Sequence, residues 1–155
     1  MFSFVQEAPN NFYDVIGMFH VLEHFADPIA ELINTRKKLK NNGKLVIEVP
    51  HARDALITWY NLEEFKKFTF WSEHLVLHTR ESLSAILHHA GFKIQSIEGI
   101  QRFPLANHLR WLKEKKPSGH IDWPQFLNST LDYEYASLLS KLDMNDTLMV
   151  IAESY

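Results

Sequence analysis

The 155-residue sequence contains no cysteine. Disulfides, thiolate metal sites and a cysteine nucleophile are therefore excluded. It also lacks an excess of positive charge: 16 Lys and Arg stand against 19 Asp and Glu, a net −3 with histidines neutral. Nothing in that balance calls for a polyanion, so nucleic acid is not an expected partner. The longest apolar runs reach about six residues, far short of the roughly 20 that a bilayer-spanning helix needs, so no membrane partner is expected. The N-terminal stretch MFSFVQEAPNNF has no basic start followed by an apolar segment, and hence no secretory signal. Together these absences point to the cytoplasm. Glycine is scarce as well: there are five, Gly17, Gly43, Gly91, Gly99 and Gly119, and no two are close. A glycine-rich turn that lets backbone approach a phosphate or nucleoside is therefore missing.

What is present is an ordinary globular composition with 46% hydrophobic residues. A chain of this length suits a single domain over residues 1–155. Residues 1–12 read as irregular. Tyr13 to Phe19 is short, nearly all apolar and rich in strand formers, which predicts a strand buried on both faces. A turn or short helix follows from His20 to Ala26. Asp27-Pro28 then starts a helix running to about Lys40, with Ile29, Leu32, Ile33 and Leu39 inward and Arg36, Lys37, Lys38 and Lys40 outward. Asn41-Asn42-Gly43 ends it, and residues 44–50 form a second buried strand. Strand, helix and strand with short joints imply a parallel pair with a right-handed crossover.

Residues 54–67 carry a mixed helical signal. Thr79 caps a helix from Arg80 to Ala90, closed by Gly91, with Leu83, Ile86 and Leu87 inward. Phe92 to Phe103 reads as a strand with Gly99 as a bulge, and Thr147 to Ala152 as the last strand. Between these strands, residues 104–146 form a helical insertion. Leu105, Leu109 and Leu112 mark one amphipathic helix. After a break at Pro117-Ser118-Gly119, a second starts near Asp122 and Pro124, with Leu127, Leu131, Leu138 and Leu142 on one face. An insertion of this kind suits a lid or an interface.

Two stretches carry a resemblance. One is Asp14-Val15-Ile16, then His20-Val21-Leu22-Glu23-His24, Asp27-Pro28 and Gly43-Lys44-Leu45-Val46-Ile47-Glu48-Val49-Pro50. The other is Glu73-His74-Leu75 with Thr79, Ser82-Leu83, Leu87 and Ala90-Gly91-Phe92. Together they resemble the C-terminal half of a class I S-adenosylmethionine-dependent methyltransferase. The resemblance implies an α/β fold: a partial Rossmann-like sheet, two parallel strands plus a late strand pair with an antiparallel last strand, flanked by helices. Residues 14–19 and 44–50 correspond to the family's fourth and fifth strands. The family's glycine-rich cofactor loop and its ribose-binding acid belong upstream of residue 14, so the chain reads as the second half of such a domain. The open edge of residues 14–19 is then expected to pair with a second copy, giving a homo-oligomer, or with the missing N-terminal half, unless residues 1–12 fold over it.

The resemblance also implies a function, transfer of a methyl group from S-adenosylmethionine to a small-molecule acceptor. Phe19, His20 and Val21 match the positions that touch the cofactor. His20 is the candidate general base, since its reference pKa of about 6.5 suits that work. His51, Tyr60, Trp71 and His74 are candidate acceptor-binding residues. His20-Val21-Leu22-Glu23-His24 also fits an inverted zinc-protease pattern, but the segment is too short for a zinc helix, so no metal is expected. Arg110 to Lys116 reads as a solvated basic face. His88 and His89 sit at a helix end, where the last carbonyls explain them. The alternative to an enzyme is a non-catalytic interaction protein built on the same fold.

Overall fold

The computed structural model describes residues 8–71 and 74–154, the side chain of Trp71 apart. In chain order the elements are β1 (Tyr13–Phe19), a 3-10 turn (Leu22–His24), α1 (Pro28–Lys38), β2 (Leu39–Pro50), α2 (Ala55–Thr58), α3 (Glu63–Trp71), α4 (Arg80–His89), β3 (Phe92–Ile100), α5 (Leu105–Glu114), α6 (Gly119–Asp122), a 3-10 turn (Pro124–Phe126), α7 (Ser129–Lys141) and β4 (Thr147–Ser154). The chain divides into two compact units, one from residues 1–49, 75–98 and 148–155, the other from 50–74 and 99–147.

The first unit holds a mixed sheet in the order β1-β2-β4-β3. β1 and β2 are parallel, with Ile16 beside Leu45 and Phe19 beside Glu48. The Ser154 hydroxyl donates to the Lys40 carbonyl at the start of β2. His51 N–H donates to the Asp146 carbonyl beyond its end, so β4 runs against β2. The alternation in β2 sends Leu45, Ile47 and Val49 to one buried face, where they meet Leu32 of α1, Leu83 and Leu87 of α4, and Leu148, Val150 and Ala152 of β4. Each such leucine stabilises the fold by about 1.5–3 kcal/mol. α1 begins where the Asp27 side chain accepts from Ala30 N–H. α4 begins with a reciprocal Thr79–Ser82 capping box and ends at Gly91, whose φ of 84° is left-handed.

Three expectations for this unit change. α1 stops at Lys38, and Asn41, Asn42 and Gly43 lie inside β2. Between Tyr13↔Leu39 and Val15↔Lys44 the register shifts, and Asn42 takes a left-handed φ of 62° to absorb the extra residues. Lys38 is buried, because its ammonium donates to the Ala8 carbonyl and Asn10 Oδ1. β1 is not buried on both faces: only Met18 is fully covered, while Val15 and Phe19 are 57% and 56% exposed. Among the described residues β1 pairs with β2 alone, and no described strand lies on its other edge.

The second unit is helical. Asp54 caps α2 by accepting from Leu56 N–H at 2.7 Å, and Asn128 caps α7. Leu56, Leu62 and Trp111 form a small core, with the Phe65 ring edge-on to Trp111. Gly119 lets α6 lie directly on the Ala106 carbonyl of α5. The expected helix over residues 54–67 is two helices separated around Asn61, which has a φ of 49°. α5 buries Ala106, Asn107, His108 and Trp111 rather than Leu105, Leu109 and Leu112. The second expected helix is α6, a 3-10 turn and α7, and Leu127, Leu131, Leu138 and Leu142 all face outward. Leu139 is the α7 leucine that is buried.

Candidate functional site

In open α/β sheets, ligands sit beyond the carboxyl ends of parallel strands. In the first unit that end of β1 carries Phe19, His20 and Val21. Phe19 and Val21 are exposed apolar surface. His20 turns the chain out of the strand with a left-handed φ of 53°, held by its N–H on the Glu48 carbonyl at 2.8 Å. Such a conformation costs a non-glycine residue free energy and is sustained only by surrounding contacts. Those contacts are two carboxylates. His20 Nε2 lies 3.0 Å from Glu48 Oε1, and Nδ1 lies 3.4 Å from Glu23 Oε1. Glu23 is fully buried, and His24 Nε2 lies 3.8 Å from the same oxygen. The 3-10 turn is three residues long, so His20 and His24 share no helical face of the zinc-protease kind. Its carbonyl at Glu23 accepts from Leu75 and Val76 N–H, which ties the turn to the segment before α4.

In the second unit His51 is buried, with Nδ1 against the Asn145 carbonyl at 3.1 Å and Nε2 4.0 Å from Asp143. His74 is half-buried. Trp71 belongs to α3, and its side chain lies outside the described residues. Tyr60 is exposed and stacked on Trp59, ring centroids 5.5 Å apart. From Tyr135 a buried polar line runs inward, its hydroxyl 2.8 Å from His108 Nδ1. His108 Nε2 is 3.2 Å from Gln101 Nε2, which donates to Asp146 Oδ2 at 2.9 Å.

Burial governs the titrating groups of this line. It pulls His108 down to about 4, so the imidazole is neutral at ordinary pH. It pushes the Tyr135 phenol up, and the Tyr60 phenol adds to the rise. It pushes Asp54 up to about 7, against the Leu56 amide and with help from the Asp146 charge. Asp146 also rises through burial, against the opposing amides of Phe103 and Arg102. The sequence reading singled out Tyr60 but missed Asp54, Gln101, His108, Tyr135 and Asp146, as well as Glu48. A charged residue inside an apolar strand was the available signal for Glu48, and an N-cap aspartate for Asp54.

The model of the methyltransferase domain family matches residues 2–97, more than half of the sequence. The chain belongs to that family. Among solved structures, this methyltransferase domain is similar to a SAM-dependent methyltransferase from Archaeoglobus fulgidus, at 18% identity and a TM-score of 0.59. The match covers 97% of this chain and 63% of that one. A SAM-dependent methyltransferase from Mesorhizobium loti matches at 16% identity and a TM-score of 0.54, over 97% of this chain and 67% of the other. Phosphoethanolamine N-methyltransferase 2 of Haemonchus contortus, in complex with S-adenosyl-L-methionine, matches at 17% identity and 0.53, over 96% and 34%. No curated protein matches the sequence. The methyltransferase domain here thus spans less than two thirds of the first of these relatives, and its α/β sheet is part of a Rossmann-like one. Against the cofactor that the family implies, the rim of β1 offers apolar surface in Phe19 and Val21 and a polar hinge in His20. The isolated glycines offer no backbone cradle for its nucleoside end. The rim therefore fits one side of S-adenosylmethionine. No helix among the described residues is long and apolar enough to cross a membrane.

Proposed function

We propose that this chain carries the acceptor-side part of an S-adenosylmethionine-dependent methyltransferase acting on a small molecule. The observation that carries the reading is the parallel β1–β2 pair ending in an exposed Phe19-His20-Val21 rim. The cofactor, when bound, supplies an electrophilic methyl group. Phe19 and Val21 cover its apolar parts, and His20 sets the path of the backbone around it. His51, Tyr60, Trp71 and His74 serve acceptor binding. With the methyl group delivered to the acceptor's oxygen or nitrogen, His20 would take the proton that the acceptor gives up. Glu23 and Glu48, one at each ring nitrogen, hold the His20 ring in place. Held geometry, worth about 7–11 kcal/mol of a barrier, is the larger share of such catalysis.

Calorimetric titration of the full chain with S-adenosylmethionine tests this. Binding that weakens in Phe19→Ala and Val21→Ala is expected. No binding at millimolar ligand would leave the family assignment standing and remove the enzyme reading for this chain. A second reading is favoured by the open edge of β1, with Val15 and Phe19 exposed beside it. There the chain is an interaction protein whose edge pairs with a second copy or with the complementary half of the domain.

A further inference from the structure

The helical unit carries an apolar groove that the transferase reading does not use. α5 buries Asn107, His108 and Trp111, and so leaves Leu109 and Leu112 half-buried. Opposite them stands the 3-10 turn after α6, where Trp123 and Phe126 lie with ring centroids 5.6 Å apart and Phe126 is 47% exposed. These four apolar side chains, with Lys113, Glu114 and Gln125, line a cavity of about 590 Å³. That volume is in the range of pockets that hold small ligands.

The two charges in the lining differ in their commitments. Glu114 accepts from Arg110 Nε at 3.0 Å, so its carboxylate is already paired. Lys113 meets no carboxylate among the described residues, and its ammonium lies 5.2 Å from the centre of the Trp123 ring. Contact with the π face of a ring holds an ammonium in place without satisfying its three N–H donors as an oxygen acceptor would. Lys115 and Lys116 follow directly, which makes the field at this end of α5 positive. A second copy docking by the same face would set one lysine run against the other, which disfavours it.

We propose that this groove binds an anionic amphiphile, with a carboxylate on Lys113 and an apolar body laid on Leu109, Leu112, Trp123 and Phe126. The site lies wholly in the helical unit and does not depend on the transferase reading. A cationic amphiphile of the same length meets the same apolar floor but is repelled by Lys113.

Titration calorimetry of the full chain with decanoate and with decylamine as probes tests this. Decanoate is expected to bind at least about fivefold more tightly. Lys113→Gln should remove that preference, and Lys141→Gln, at an exposed lysine of α7, should keep it. Phe126→Asp, at a position already exposed, should weaken both probes while the circular dichroism spectrum stays unchanged. Equal affinity for the two probes, no decanoate binding at millimolar concentration, or an unchanged Lys113→Gln variant overturns the proposal. Sedimentation with phosphatidylcholine–phosphatidylglycerol vesicles without decanoate binding also overturns it and gives the groove to a lipid surface. A light-scattering dimer that Phe126→Asp dissociates overturns it in favour of a second copy. No arm contains S-adenosylmethionine, so failure of the transferase reading leaves these outcomes as they are.

Discussion

Asp54 is a buried carboxylate used as a helix cap, and burial pushes its pKa up to about 7. The folded chain holds its proton where the unfolded chain, near the ordinary 3.8, has lost it. Stability contributed by this group therefore falls as pH rises from about 4 to 7 and is level above. The full change is on the order of 4 kcal/mol. His108 works in the opposite sense: its folded pKa is depressed to about 4, so stability from it rises with pH up to the ordinary histidine range. Asp54→Asn keeps an acceptor for Leu56 N–H and removes the proton. Urea unfolding at pH 5 and pH 8 should show the variant gaining on the wild type as pH rises. A constant difference would contradict the assigned burial. Asp146 accepts from the Arg102 and Phe103 amides and from Gln101. Asp146→Ala orphans these donors and should cost about 3 kcal/mol or more in the same measurement.

Among the elements, the helix starts were legible because caps are local chemistry. Asp27-Pro28 and Thr79 were read from sequence, and both accept the expected amide. Thr79→Ala should lower unfolding stability by about 1 kcal/mol. The paired strands were legible from their apolar runs, and their parallel sense from the short crossover. Strand exposure was not, because an apolar run does not say whether a neighbour exists on its far side. Nor was the register shift at residues 39–44, since Asn-Asn-Gly ends a helix and bends a strand equally well. In the helical unit the leucine pattern misled: α5 is oriented by the buried Asn107 and His108, and the outward leucines of α7 obey no core. The place of Phe19 and His20 at the carboxyl end of β1 was legible, because the run of apolar residues ends there. The Gln101–His108–Tyr135 line was not, since Tyr135 lies 27 residues beyond His108 and meets it only in three dimensions. Gly119 was read as a breaker, yet a side chain there would fall on the Ala106 carbonyl. Gly119→Ala should destabilise by about 1–3 kcal/mol through overpacking, measurable as a lower urea midpoint.

At the scale of the whole molecule, the edge of β1 that no described strand covers is a place where a second chain could pair. A lysine on an edge strand discourages pairing. Val15→Lys should shift light-scattering mass toward the monomer if the edge pairs with a second copy, and an unchanged mass would exclude that pairing.

The chain passes from one unit to the other four times, near residues 49, 74, 98 and 147. Neither unit can thus be removed by trimming an end. Deleting the last eight residues strips a central strand from the sheet, and a stop after residue 49 discards both segments of the helical part. Dissecting the protein requires internal joins or circular rearrangement of the gene, and an allele that loses only its last eight residues already loses a strand of the sheet.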